Sequence, residues 1–263
     1  MEIMIENCSS PGAHFSKNTN EVLLKIYEWI IKNNKPELSF IEFRRRLEQE
    51  AKINDNNARN IYPLLKNGGL VEYQAGGALD SGTFFTKRGL AYLKALETKD
   101  MIMQSDYTIK QKEEASVQVD EIMGSIVCDS LEELLKNKVL NYSDSLRWYL
   151  LFLSKYGKIN KQEFALMVCT MNQEVDDWQA KIGPTIELYR KKEVDINVKV
   201  RVRNDQKIQR STGEKTRIED ISYFTAYSFY SGLINQAGLT RKVKDYFFMV
   251  EDNSEKIEYL LEV

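Results

Sequence analysis

The stretch "NDNNARN", residues 54–60, concentrates side chains suited to reading a surface rather than reacting with one. An asparagine amide carries a donor and an acceptor in one plane, the pattern that meets the edge of an adenine. Asn56, Asn57, Arg59 and Asn60 are therefore the candidate base-reading residues. Asn and Asp also favour caps and turns over helix interiors, so capping and solubility give a second account of the same run.

Reactive chemistry has less to work with. The one histidine, His14, leaves little for Ser-His or Cys-His catalysis. Cys8, Cys128 and Cys169 are odd in number and far apart, make no zinc spacing with His14, and read as free cytosolic thiols. Cys169 follows Met167 and Val168 on the apolar face of a helix, where a buried structural thiol is expected. The run "GGALDSGTF" has no Gly-Lys-Ser/Thr and no helix start behind it, so it is no phosphate-cradling loop. Trp29, Trp148 and Trp178 fall within helical stripes and are expected in the core.

The net charge of −2 hides an asymmetry. Residues 98–140 carry 5 Lys/Arg against 9 Asp/Glu, whereas residues 181–217 carry 11 against 5. A basic segment is the footprint a phosphate backbone asks for, and it is also what a solvated face looks like. No apolar run is long enough to span a membrane. The start "MEIMIENCSSPGAHF" lacks the basic and apolar regions of a signal peptide, and a cytoplasmic protein is expected.

The elements that must position these side chains follow from periodicity. A first helix places Val22, Leu23, Ile26, Trp29 and Ile30 on one face. Ser39, with Glu42 three residues on, has capping-box spacing. The helix behind it buries Phe40, Phe43 and Leu47 and exposes Arg44, Arg45 and Arg46. A third helix begins near Asn54 or Asp55 and turns Ala58, Ile61, Tyr62 and Leu65 inward. Its outer face carries Asn56, Arg59, Asn60 and Pro63, and Pro63 is expected to kink or shorten it. "GGLVEY", "QAGGALDSG" and "TFFTKRG" read as strand, loop and strand, a hairpin, and "KRGLAYLKAL" as a closing helix.

This order over residues 18–97 resembles a winged helix-turn-helix domain. In that family the third helix enters the major groove and the hairpin lies against the backbone or minor groove. Residues 1–17 read as a flexible N-terminus and 98–140 as an acidic connector of one or two helices. The connector has one stripe at Val119, Ile122, Met123, Ile126 and Val127, and another at Leu131, Leu134 and Leu135.

Residues 141–263 carry a second pattern. A helix turns at Gly157 into another, capped by Asn160 with Glu163 at the capping-box position. A third helix runs from about Glu174 to Lys191, broken or kinked near Gly183-Pro184. Val198, Val200 and Val202 alternate with Lys199, Arg201 and Arg203, giving a strand with one cationic face or an extended arm. "RIEDISYFTAYSFYSGLINQAG" reads as an aromatic helix, "LTRKVKDYFFMV" as a strand and "DNSEKIEYLLEV" as a short helix.

Through "LLFLSKYGKINKQEFALMVCTMN", "ELYRKK" and the aromatic helix, this half resembles the recognition half of AlwI-like type IIS restriction and nicking endonucleases. The resemblance implies a mainly α fold with short β-hairpins (α+β), as tandem winged-helix-like domains, the second holding basic segment 190–217. It implies double-stranded DNA as partner, target recognition in a bacterial restriction–modification defence system, and a nucleoid-associated location. Phosphate contacts are then expected from Arg44, Arg45, Arg46, Lys87, Arg88, Lys199, Arg201, Arg203, Lys207 and Arg210.

Members of that group continue into a nuclease domain whose Mg²⁺ site needs an Asp and an acidic-x-Lys tripeptide. Here Glu50-Ala51-Lys52 and Glu97-Thr98-Lys99 read at helix ends. Asp205-Gln206-Lys207 has Asp195 upstream, but the run between them reads as one strand without a turn. No catalytic site or cofactor is expected in this chain, with Mg²⁺ confined to a partner nuclease domain or subunit. A transcriptional or replication regulator and a protein-docking adaptor are the alternative readings.

Overall fold

The computed structural model describes residues 1–6, 8–171, 177–203 and 216–263. The first half contains β1 (Glu2–Glu6), α1 (Lys17–Lys32), β2 (Glu37–Ser39), α2 (Phe40–Glu50), α3 (Asp55–Asn67), β3 (Ala78–Asp80), α4 (Lys87–Gln104) and α5 (Ile109–Lys136). The second contains α6 (Ser143–Tyr156), β4 (Lys158–Ile159), α7 (Lys161–Met171), α8 (Trp178–Arg190), β5 (Asn197–Arg203) and β6 (Thr216–Asp220). It ends with α9 (Ala226–Gln236), β7 (Thr240–Val243), β8 (Tyr246–Met249) and α10 (Ser254–Glu262). The fold is mainly helical, with small sheets. No described helix is long and apolar enough to cross a membrane.

Two compact units divide the chain. A helical unit comprises Pro11–Leu140 with Gly232–Thr240 and Val263. A sheet unit comprises Met1–Ser10, Asn141–Ser231 and Arg241–Glu262.

In the helical unit, Ser16 caps α1 by accepting from the Thr19 amide, and Leu23, Ile26, Trp29 and Ile30 are buried as the periodicity required. Ser39 caps α2 by accepting from the Glu42 amide at 3.1 Å. The other half of the expected capping box does not form, because the Glu42 carboxylate turns to Arg45 and Arg46. Helix α3 runs through Pro63 without the expected shortening. Pro63 is exposed, so the Arg59 carbonyl it leaves without an amide donor lies on a hydrated face.

The expected hairpin after α3 shrinks to one bridge between Val71 and Phe85. Phe84 and Phe85 are both buried, which breaks the period of two that a strand with one wet face demands. The strand that does form, β3, lies inside the glycine-rich run and pairs antiparallel with β2 through Leu38 and Leu79. Helix α4 packs so tightly on the preceding turn that a Cβ on Gly89 would stand 2.0 Å from the Leu70 carbonyl oxygen. Residues 98–140 fall inside this unit: α4 runs to Gln104, Thr108 and Gln111 form a capping box, and α5 is one continuous helix. Lys99 reaches Asp120 across the pair at 2.5 Å.

Residues 1–6 and 8–17 are not loose, contrary to expectation. In the helical unit Ala13 and Phe15 are buried, with Phe15 5.2 Å from the Tyr92 ring. In the sheet unit β1 alternates buried Ile3 and Ile5 with exposed neighbours and pairs parallel with β5.

Strand β5 is the centre of a sheet ordered β1-β5-β6, which settles the strand-or-arm alternative in favour of the strand. Val198 and Val200 are buried while Lys199 and Arg201 are exposed. The segment beginning "RIEDI", read as helix, forms β6, and the aromatic helix starts only at Ala226. A second sheet is ordered β4-β8-β7, so the single strand expected in "LTRKVKDYFFMV" is two strands with a turn at Lys244. Helix α8 continues unbroken through Pro184, and its expected start near Glu174 lies outside the described residues.

Candidate nucleic-acid interface

Helix α3 presents its outer face as expected, with Arg59 and Asn60 exposed opposite the buried Ala58, Ile61, Tyr62 and Leu65. The side chains of Asn56 and Asn57 lie outside the described residues. Asp55 opens the helix and accepts from Arg59 Nε at 2.8 Å and from Arg44 Nε at 2.7 Å, with the Arg44 fork closing a second bond. The Arg44 hydrogen bonds hold the Asp55 carboxyl below its usual range, with Arg59 adding to the effect.

The expected exposure of Arg44, Arg45 and Arg46 holds for Arg45 alone, since Arg44 and Arg46 are half-buried. Arg44 is half-buried against Asp55 and the Phe40 ring, while Arg45 and Arg46 share Glu42 at 2.9 and 3.1 Å. The reason is spacing: Glu42 stands three and four residues before Arg45 and Arg46, on the same helix face. Lys87 is exposed, whereas Arg88 is half-buried, donating to the Gly68 carbonyl at 3.3 Å with Glu133 at 3.8 Å.

In the sheet unit, Lys199 and Arg201 stand on the exposed face of β5, with Arg201 3.6 Å from Glu6. The side chain of Arg203, and all of Lys207 and Arg210, lie outside the described residues. The described candidate residues thus fall on α2, α3 and the start of α4 in the helical unit, and on β5 in the sheet unit.

Two groups escaped the sequence reading. Glu163 is fully buried and takes Arg190 at 2.7 Å, while that guanidinium also donates to the carbonyls of Tyr156 and Lys158. Burial pushes the Glu163 carboxyl up, and Arg190 opposes the shift. Glu163 also completes the expected capping box with Asn160. The second group is Arg241, Lys242 and Lys244 on the β7–β8 hairpin, all exposed. Their signal was present as "RKVK", but reading one strand there concealed the turn.

The thiols are free, and burial pushes Cys8 up to about 12. Cys169 is half-exposed rather than buried, lining a cavity of about 710 Å³ with Cys8, Met4 and Met171. His14 is half-buried beside Gly232, and that burial lowers its pKa. Glu97-Thr98-Lys99 lies within α4 rather than at its end, and Glu50 accepts from Trp29 Nε1 at 2.8 Å. Asp205-Gln206-Lys207 is outside the described residues, among which no three His, Cys, Asp or Glu converge as metal ligands.

Compared with protein-family models, curated proteins and solved structures, the chain matches none.

Proposed function

We propose that this chain is a sequence-preferring double-stranded DNA-binding protein that recognises the target of a restriction–modification system while another domain or subunit cleaves. On this reading the helical unit is a winged-helix-like module built on α1, β2, α2, α3, β3 and α4, and α3 is its reading helix. The observation that carries it is the outer face of α3, where exposed Arg59 and Asn60 lie one helical turn beyond Asp55. Asp55 orients Arg59 through its Nε, which lowers the ordering cost when that side chain meets a base or phosphate.

Selection from a randomised duplex pool at about 0.15 M salt, followed by sequencing, tests the proposal. A short asymmetric site is expected, and Asn60→Ala should cost about 1–3 kcal/mol at one position while relaxing preference there. Enrichment of no sequence defeats the proposal. A docking adaptor is then the better reading, favoured by one observation: residues 97–118 contain no buried residue, yet include the exposed Met101, Met103, Ile109 and Val117.

A further inference from the structure

We propose that the β7–β8 hairpin is a second contact with duplex DNA, in which Arg241, Lys242 and Lys244 neutralise backbone phosphates; this rests on the DNA-binding reading above. Its first support is availability. Arg241, Lys242 and Lys244 are exposed, and none makes an ion pair with any described residue. The arginines of α2 and α3 each have a carboxylate within reach.

The second support is how the cations are displayed. Lys242 Nζ lies 5.8 Å from the Phe247 ring centroid, which sets those two residues on one face of the hairpin. Side chains alternate along a strand, so Arg241 projects from the opposite face. Lys244 occupies the turn in the left-handed region, at φ 55°. The open face and the tip of the hairpin thus carry charge, and Lys242 is exposed beside the buried Phe247. The hairpin is the outer edge of a three-stranded sheet, and a charged edge and tip can lie along a phosphate backbone.

The third support is rigidity. Phe247 is buried edge-on to Tyr227 at 6.1 Å. Strand β8 pairs with β4 through Lys158 and Phe248, and the Met249 amide donates to the Gly157 carbonyl at 2.8 Å. A backbone held this way loses little freedom on binding, so the Coulomb gain is not consumed by ordering. Strand β7 is also an edge strand, and lysines on an edge discourage strand addition. That role alone requires no DNA.

The test titrates the full chain by fluorescence anisotropy into the selected duplex and an unselected one, across a sodium chloride series. The variant is Arg241→Gln/Lys242→Gln/Lys244→Asn. Each lost phosphate contact flattens the slope of log affinity against log salt by about 0.9, so a change of about 2 to 3 is expected. Both duplexes should weaken by the same factor. Lys244→Asn alone, which the left-handed turn tolerates, should flatten the slope by about 1. Unchanged slopes in variants that melt as the parent does overturn the hairpin contact and leave DNA recognition by α3 standing. A parent protein that binds no duplex at low salt overturns the DNA reading itself, and the hairpin contact with it.

Discussion

The cations of α2 and α3 and those of the β7–β8 hairpin are similar in number and opposite in circumstance. Arg44, Arg45, Arg46 and Arg59 share two carboxylates, Glu42 and Asp55. Arg241, Lys242 and Lys244 face solvent or an aromatic ring. A count of basic residues treats these regions alike, whereas the field they offer a polyanion differs. The helix arginines must exchange a carboxylate for a phosphate, weakly held at the exposed Arg45–Glu42 pair and more firmly at the half-buried Arg44–Asp55 pair. The hairpin cations exchange only water and counterions. The helix face therefore suits positioned recognition, and the hairpin suits non-directional attraction.

The comparison can be broken most forcefully at its buried limit. Arg190→Met should destabilise the sheet unit by about 3–5 kcal/mol, because the buried Glu163 carboxylate loses its partner. Urea denaturation measures this, and a loss below about 1 kcal/mol would place the pair with the exchangeable ones. Asp55→Asn comes next. It weakens the bonds to Arg44 and Arg59, with about 1–3 kcal/mol of stability expected to go. With Arg59 no longer held, duplex binding should weaken and its sequence preference relax, and a steeper salt dependence with tighter binding instead would show that Asp55 restrains Arg59 rather than orienting it.

Acid sharpens the same point. The folded protein holds Asp55 below its ordinary range, so its pairing contributes fully above the unfolded value of about 3.9. That contribution is lost as pH falls through the folded pKa. Melting at pH 3 and pH 5 should therefore differ less in Asp55→Asn than in the parent. The smallest effect belongs to Arg45→Ala, which removes an exposed partner of Glu42 and should leave the urea midpoint unchanged.

What was legible in the sequence lay within four residues of itself. The stripe of α1, the Ser39 and Asn160 caps, the inner face of α3 and the alternation of β5 all follow from periods and short spacings. The Glu42–Arg46 pair was equally available, and the sequence reading passed it over because it weighed cations without their helical neighbours. Even β1 announced itself, since its "EIMIE" pattern alternates like any half-buried strand. It was read as loose because a strand needs a partner, and its partner β5 begins nearly two hundred residues later.

Tertiary structure decided everything that depends on such partners. It set Asp55 against Arg44 across two helices and Glu163 against Arg190 across two more. It buried Phe84 and Phe85 together, which reduced an expected hairpin to a bridge, and it paired β3 with β2 instead. Periodicity records which side of an element is apolar, because that is a property of neighbouring residues along the chain. Whether a charge is free or already satisfied is a property of neighbours in space, and for Arg44 and Arg190 only the folded chain brings those neighbours into reach.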